Sequence, residues 1–62
     1  MPVVTVELLE GRTVQQKRDM AKRITDAVTE VTGVSPEIVE VIFHDMKKEN
    51  YAIGGILQCD RG

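Results

Sequence analysis

Sixty-two residues allow one small domain, spanning 1–62, and eight Lys and Arg against ten Asp and Glu leave it a net charge of −2. With one Tyr and one Phe as its aromatic residues, that balance excludes a basic, base-stacking surface for nucleic acid. One cysteine excludes an internal disulfide, and no apolar run is long enough to span a bilayer.

A domain this short buries only about 60% of the surface its unfolded chain exposes. His44 and Cys59 form no metal-ligand pattern, so oligomerisation is the expected extra support. The opening residues carry no charged leader ahead of a long apolar core. No signal peptide is therefore expected, and a soluble cytoplasmic protein is the simplest expectation. A free thiol agrees with it.

Residues 2–9, PVVTVELL, are predicted to form a strand. Val4, Val6 and Leu8 share one face, and Val3, Thr5, Glu7 and Leu9 share the other. Glu10-Gly11-Arg12 is a turn. Thr13 opens a helix through the capping box TVQQ, in which the Thr hydroxyl accepts from the backbone three residues on. Met20, Ala21, Ile24, Ala27, Val28 and Val31 make its apolar face; Lys17, Arg18, Lys22, Arg23, Asp26 and Glu30 make its solvent face. Gly33 is the residue that ends it, after about nineteen positions.

SPE at 35–37 predicts a short helical turn with proline at its first position. IVEVIFH, residues 38–44, is the second strand, followed by the charged turn DMKKEN and by YAIGGIL, whose two glycines predict a hairpin or bulge. The order β-α-β calls for a right-handed crossover and parallel strands. Both strands are apolar on two faces, while one helix covers only one. A second chain is therefore expected against the other face.

Proline at position 2 has a consequence outside the fold, since methionine aminopeptidases remove Met before a small residue. The chain then begins with a rigid secondary amine. Ordinary α-amino groups titrate near about 7.7–8.0; burial or a nearby cation such as Arg12 lowers such a value toward the range useful to a general base. The plainer alternative is a proline that starts an edge strand, where its missing N–H costs little. Arg12, beside a flexible glycine, suits bidentate binding of a carboxylate, or is a solvated arginine badly placed for the helix dipole. His44 is a candidate proton shuttle or a partly exposed strand residue; Tyr51 lines a pocket or packs the hairpin. Cys59 has no base nearby in sequence and reads as a bystander.

Met-Pro, LLEGRT, QQKR, HDM and YAIGG, at this spacing across nearly the whole chain, resemble the 4-oxalocrotonate tautomerase family. The resemblance implies an α+β fold: a β-α-β tautomerase unit with two parallel strands plus a C-terminal β-hairpin. Its dimers carry a four-stranded sheet with helices on one face, and three dimers form a hexamer. It implies cofactor-free keto–enol tautomerisation of 2-hydroxydienoates or 2-oxo acids such as 2-hydroxymuconate. No metal, nucleic acid or membrane takes part.

Carried onto this sequence, the resemblance makes Pro2 the catalytic base and Arg12 the carboxylate clamp, often in a neighbouring subunit's site. Tyr51 becomes an apolar wall, and the Leu9 backbone N–H a donor near the substrate's oxo or carboxylate end. Glu40 falls where better-known members have an arginine that polarises the 2-oxo group. Losing such a donor costs roughly 10²–10³ in rate, so dianionic substrates should suffer more than monoacid enols. Two other readings keep the fold: a hydratase or dehalogenase in which Glu40 activates water, and a non-catalytic oligomeric scaffold. While Met1 is retained, the Pro2 nitrogen is an amide and no base.

Overall fold

β1 (Val3–Leu9) and β2 (Glu40–Met46) run parallel and are joined by α1 (Val14–Thr32). A two-residue antiparallel pair, β3 (Ala52–Ile53) and β4 (Ile56–Leu57), follows. The structure, a computed structural model, describes residues 1–61. The expected β-α-β unit with its C-terminal hairpin is what the chain forms. Short 3₁₀ turns lie at Pro36–Ile38, Lys48–Asn50 and Gln58–Asp60. No helix among the described residues is long and apolar enough to cross a membrane.

α1 begins and ends where its caps dictate. The Gln16 N–H donates to Thr13 Oγ1 over 3.0 Å, and the Thr13 N–H donates to Gln16 Oε1 over 2.9 Å. Two of the helix's orphan donors are thereby satisfied reciprocally. At the other end Gly33, at φ 79°, turns left-handed and its N–H donates to the Thr29 carbonyl over 2.9 Å. A β-carbon is disfavoured there.

The inner face of α1 differs from the apolar count in five places. Met20, Ala21, Ile24 and Val28 are half-buried as expected, but they are joined by Thr25, Thr29 and Lys17. Ala27 lies on the flank and is exposed, and Val31 is 85% exposed. Nineteen helical residues span roughly 28 Å, whereas seven strand residues span roughly 23 Å, so the last turn overhangs the sheet. Lys17 leaves the predicted solvent face because its ammonium reaches Asp45 Oδ2 at 2.7 Å.

That ion pair also fixes which sheet face α1 covers. In parallel register Val4 meets Val41, Val6 meets Phe43 and Leu8 meets Asp45; this is the helix side. Val3, Thr5, Glu7 and Leu9 with Glu40, Ile42, His44 and Met46 form the open side, where Val3 and Ile42 remain exposed. β2 starts two residues later than expected. The Ile38 and Val39 N–H groups are used by the Ser35 and Pro36 carbonyls in the 3₁₀ turn. It also ends later, at Met46, because the Glu10 N–H donates to the Met46 carbonyl over 2.8 Å and Asp45 is held by Lys17.

In the hairpin, Gly54 and Gly55 both have positive φ, 61° and 84°. Two such residues make the tight turn whose twist matches a β-hairpin. The hairpin packs mainly against the 3₁₀ turns beside it rather than against α1 or the parallel sheet. The result is elongated, 43 × 23 × 14 Å, with a radius of gyration of 14.8 Å. A compact chain of this length has a radius of roughly 11 Å. No side chain among the described residues is fully buried.

Candidate active site

Pro2 stands just ahead of β1 and is half-buried. Its carbonyl accepts from the Glu40 N–H over 2.9 Å, which locks the proline to the start of β2. The Met1 amine donates to the Ile38 carbonyl over 3.2 Å. In this form the Pro2 nitrogen is acylated and its lone pair is delocalised into the amide. Glu40 is the register partner of Val3, so it sits at the Pro2 end of the sheet with its side chain on the open face.

Leu9 closes β1 opposite Met46. The Pro2 carbonyl and the Glu10 N–H both bond to β2. Even-numbered residues of this stretch therefore aim their backbone groups at β2, and odd-numbered ones aim theirs at the free edge. The Leu9 N–H thus points away from β2, where a ligand or another strand can accept it. Arg12 follows Gly11, whose φ of 115° turns the chain out of the strand. Its guanidinium is exposed and has no hydrogen-bond or ion-pair partner among the described residues.

Tyr51 lies beyond the far end of β2, after the Lys48–Asn50 turn. Its carbonyl accepts from the Gln58 N–H over 2.8 Å and its side chain is 37% exposed. The five candidate residues thus occupy three places. Pro2 and Glu40 are at one end of the sheet, Leu9 and Arg12 at the other, and Tyr51 on the hairpin. β1 separates Pro2 from Arg12 by about 20 Å of extended chain.

His44 belongs to none of these groups. Its Nδ1 lies 2.5 Å from Glu7 Oε1 on the open face. The signal for that contact was a carboxylate and an imidazole on matching strand faces, but it needed the register to be known. Cys59 is exposed and free, and Asp60 is the acceptor near its thiol. Near the Pro2 end, the carboxyl of Glu37 has a lowered titration. Donation from the Ser35 hydroxyl, then from its own backbone N–H, holds it below the ordinary carboxylate range.

Comparison with known proteins places this chain among enzymes. The family model described as tautomerase enzyme matches residues 2–59. The 2-hydroxymuconate tautomerase of Bacillus subtilis is 49% identical over 55 residues, covering 89% of this chain and 89% of that protein. A probable tautomerase of Bacillus cereus is 49% identical over 61 residues, covering 98% and 100%. Among solved structures, the crystal structure of YwhB, a homologue of 4-oxalocrotonate tautomerase, aligns with a TM-score of 0.93 at 44% identity. It covers 98% of this chain and 100% of its own.

Proposed function

The chain belongs to the tautomerase family, an isomerase family, and from that premise we propose a cofactor-free keto–enol tautomerase acting on unsaturated 2-hydroxy or 2-oxo acids such as 2-hydroxymuconate. The observation that carries this is the family match over residues 2–59, which takes in Pro2, Arg12 and Tyr51 together. The relative that is 49% identical and called a 2-hydroxymuconate tautomerase supports the substrate class.

Loss of Met1 converts the Pro2 nitrogen from an amide to a secondary amine on a ring already anchored by Glu40. That amine takes the proton of the substrate's 2-hydroxyl. The O–H electron pair forms the carbonyl, and the π electrons of the diene accept the same proton at the vinylogous carbon. Nothing is oxidised or reduced, and Pro2 ends neutral. Its anchored ring satisfies the geometric demand on a general base.

Arg12 holds the substrate carboxylate through paired hydrogen bonds. Because it lies about 20 Å from the Pro2 of its own copy, the clamp comes from another copy. The active form is then a homo-oligomer, a hexamer built as a trimer of dimers. The free edge of β1 is available to pair with its counterpart and make the four-stranded sheet. Leu9 supplies a backbone donor and Tyr51 an apolar wall. Glu40 places a carboxylate at the Pro2 end, which opposes a second negative charge there and favours monoacid enols over dianions.

The test is ketonisation of 2-hydroxymuconate, beside that of the phenylpyruvate enol, followed in the ultraviolet on protein whose mass shows Met1 gone. Turnover of either, lost in Pro2→Ala, is the expected result. No turnover of either overturns the tautomerase.

A further inference from the structure

The Met1 amine reaches the Ile38 carbonyl at 3.2 Å, and the backbone around Ile38 explains why that oxygen points there. Val39 donates its N–H to the Pro36 carbonyl over 3.3 Å, inside the 3₁₀ turn. A trans peptide sets its N–H and C=O in opposite directions, so the Ile38 oxygen of the same peptide faces away from the turn. On the strand side, Glu40 is opposite Val3 and its N–H meets the Pro2 carbonyl at 2.9 Å. Parallel rungs recur every two residues on both strands. The Glu40 carbonyl is thus set to accept from Val4, and one step back the same rung joins the Pro2 nitrogen to the Ile38 carbonyl. An acylated proline has no N–H to give, and the Met1 amine takes the oxygen instead.

We infer that the Ile38 carbonyl positions the Pro2 amine once Met1 is gone, accepting the N–H that the ring nitrogen gains and thereby setting which way its lone pair faces. This positioning presupposes the tautomerase proposed above, because only there is Pro2 the base. Beyond the Met1 amine, no loop, cap or side-chain donor among the described residues reaches that oxygen.

A neutral secondary amine carries one N–H and one lone pair, on a nitrogen that inverts freely in water. With the N–H held by Ile38 on the β2 side, the lone pair is left facing away from β2. There it takes the proton of the substrate's 2-hydroxyl, and the O–H electron pair becomes the carbonyl. The ammonium so formed has two N–H groups. One stays on Ile38; the other, the proton just taken, passes to the vinylogous carbon as the diene electrons form the C–H bond. The Ile38 carbonyl exchanges no proton and no electrons. Its part is to keep the reacting N–H in one direction, which is the geometric demand on a general acid or base. The titratable side chains of the elements around this nitrogen are Glu37, held by the Ser35 hydroxyl, Glu40 at the start of β2, and Glu30 in the last turn of α1.

The measurement is nuclear magnetic resonance of the full chain, on protein whose mass shows Met1 gone, with the Pro2 nitrogen and the Ile38 carbonyl carbon isotopically labelled. Both are followed from about pH 6 to 10, across the range of an α-amino group. Protonation strengthens a hydrogen bond that the amine already donates. The Ile38 carbonyl resonance should therefore move with the midpoint of the Pro2 nitrogen, and further than the carbonyl of Glu40 moves. An Ile38 resonance that stays flat while Pro2 titrates, or that moves no further than Glu40, overturns the inference.

An ester in place of the Ile38–Val39 amide, in a chain made by synthesis, weakens the Ile38 oxygen as an acceptor. In ketonisation kcat should fall about two- to tenfold, the equivalent of one hydrogen bond, with KM unchanged. That ester also removes the Val39 N–H, so an ester between Pro36 and Glu37 is the control: it weakens the same turn bond and should leave kcat as it was. Equal losses from both esters, or none from the first, overturn the positioning role. The resonances need no turnover, which keeps the two proposals apart. Coincident titration without turnover sinks only the tautomerase, and turnover with a flat Ile38 resonance sinks this inference alone.

Discussion

Pro2 and Arg12 flank the same strand, one immediately before Val3 and the other three residues beyond Leu9, and the ends of that strand lie about 20 Å apart. The proposed proton-transfer group and the proposed anion clamp therefore stand at opposite ends of one strand. They can serve one small substrate when two copies bring unlike ends together.

Mixing two impaired variants, assayed at substrate well below the raised KM of Arg12→Ala, tests that arrangement. In the proposed arrangement, where each site draws its proline and its arginine from different chains, oligomers reassembled from equal amounts of Pro2→Ala and Arg12→Ala chains should regain activity in about one site in four. If both residues acted from the same copy, the mixture would stay as impaired as its components. Ketonisation rates before and after denaturation and refolding of the mixture give the answer.

Arg12→Ala alone should weaken substrate capture more than chemistry. A charge-assisted hydrogen bond is worth roughly 1.5–3 kcal/mol, so KM should rise by about 10- to 100-fold. Arg12→Lys keeps the charge but loses the paired geometry and should recover only part of it. A KM unchanged in both variants would remove Arg12 from the site.

Glu40 should act as a discriminator. Glu40→Gln removes a carboxylate from the Pro2 end of the sheet, and Glu40→Arg reverses its sign. Turnover of 2-hydroxymuconate should rise in that order, by about tenfold or more for the arginine, while the monoacid enol changes less. Equal changes for diacid and monoacid would show that Glu40 faces away from the substrate.

The bond from Lys17 to Asp45, at 2.7 Å, ties the first turns of α1 to the end of β2. Its side chains are 26% and 43% exposed, so solvent screens it and its contribution is modest. Lys17→Met keeps the aliphatic stem and should lower stability by up to about 1 kcal/mol in urea titrations. Asp45→Asn should cost a similar amount, and the double variant should cost less than the sum.

Acid should loosen the Pro36–Ile38 turn late. Glu37 is held below the ordinary carboxylate range by the Ser35 hydroxyl. Its contribution is present above the unfolded carboxyl's titration and disappears as pH falls through the lowered folded one. In Ser35→Ala the Glu37 side-chain resonance should titrate at higher pH than in the wild type. An unchanged titration would show that the hydroxyl contact does not persist in solution.

Local chemistry made much of this fold legible before any coordinates. Thr13 with Gln16 can satisfy each other's N–H groups only at a helix start, Gly33 suits a left-handed stop, and Gly54-Gly55 suits a tight hairpin turn. All three act within four residues of chain, so short-range sterics and hydrogen bonds decide them. The Met-Pro and LLEGRT motifs carried the resemblance for a similar reason: a run of adjacent residues is legible whatever the packing does.

Tertiary structure decided what depends on partners distant in sequence. Val31 is as apolar as Val28, but only Val28 has a sheet beneath it. Lys17 turns inward because Asp45 is there to receive it, and β2 ends at Met46 because Glu10 reaches it. Glu7 and His44 meet because the parallel register sets them opposite. The separation of Pro2 from Arg12 has the same origin. A strand rises about 3.3 Å per residue, and that rise carries Arg12 of each copy away from its own proline.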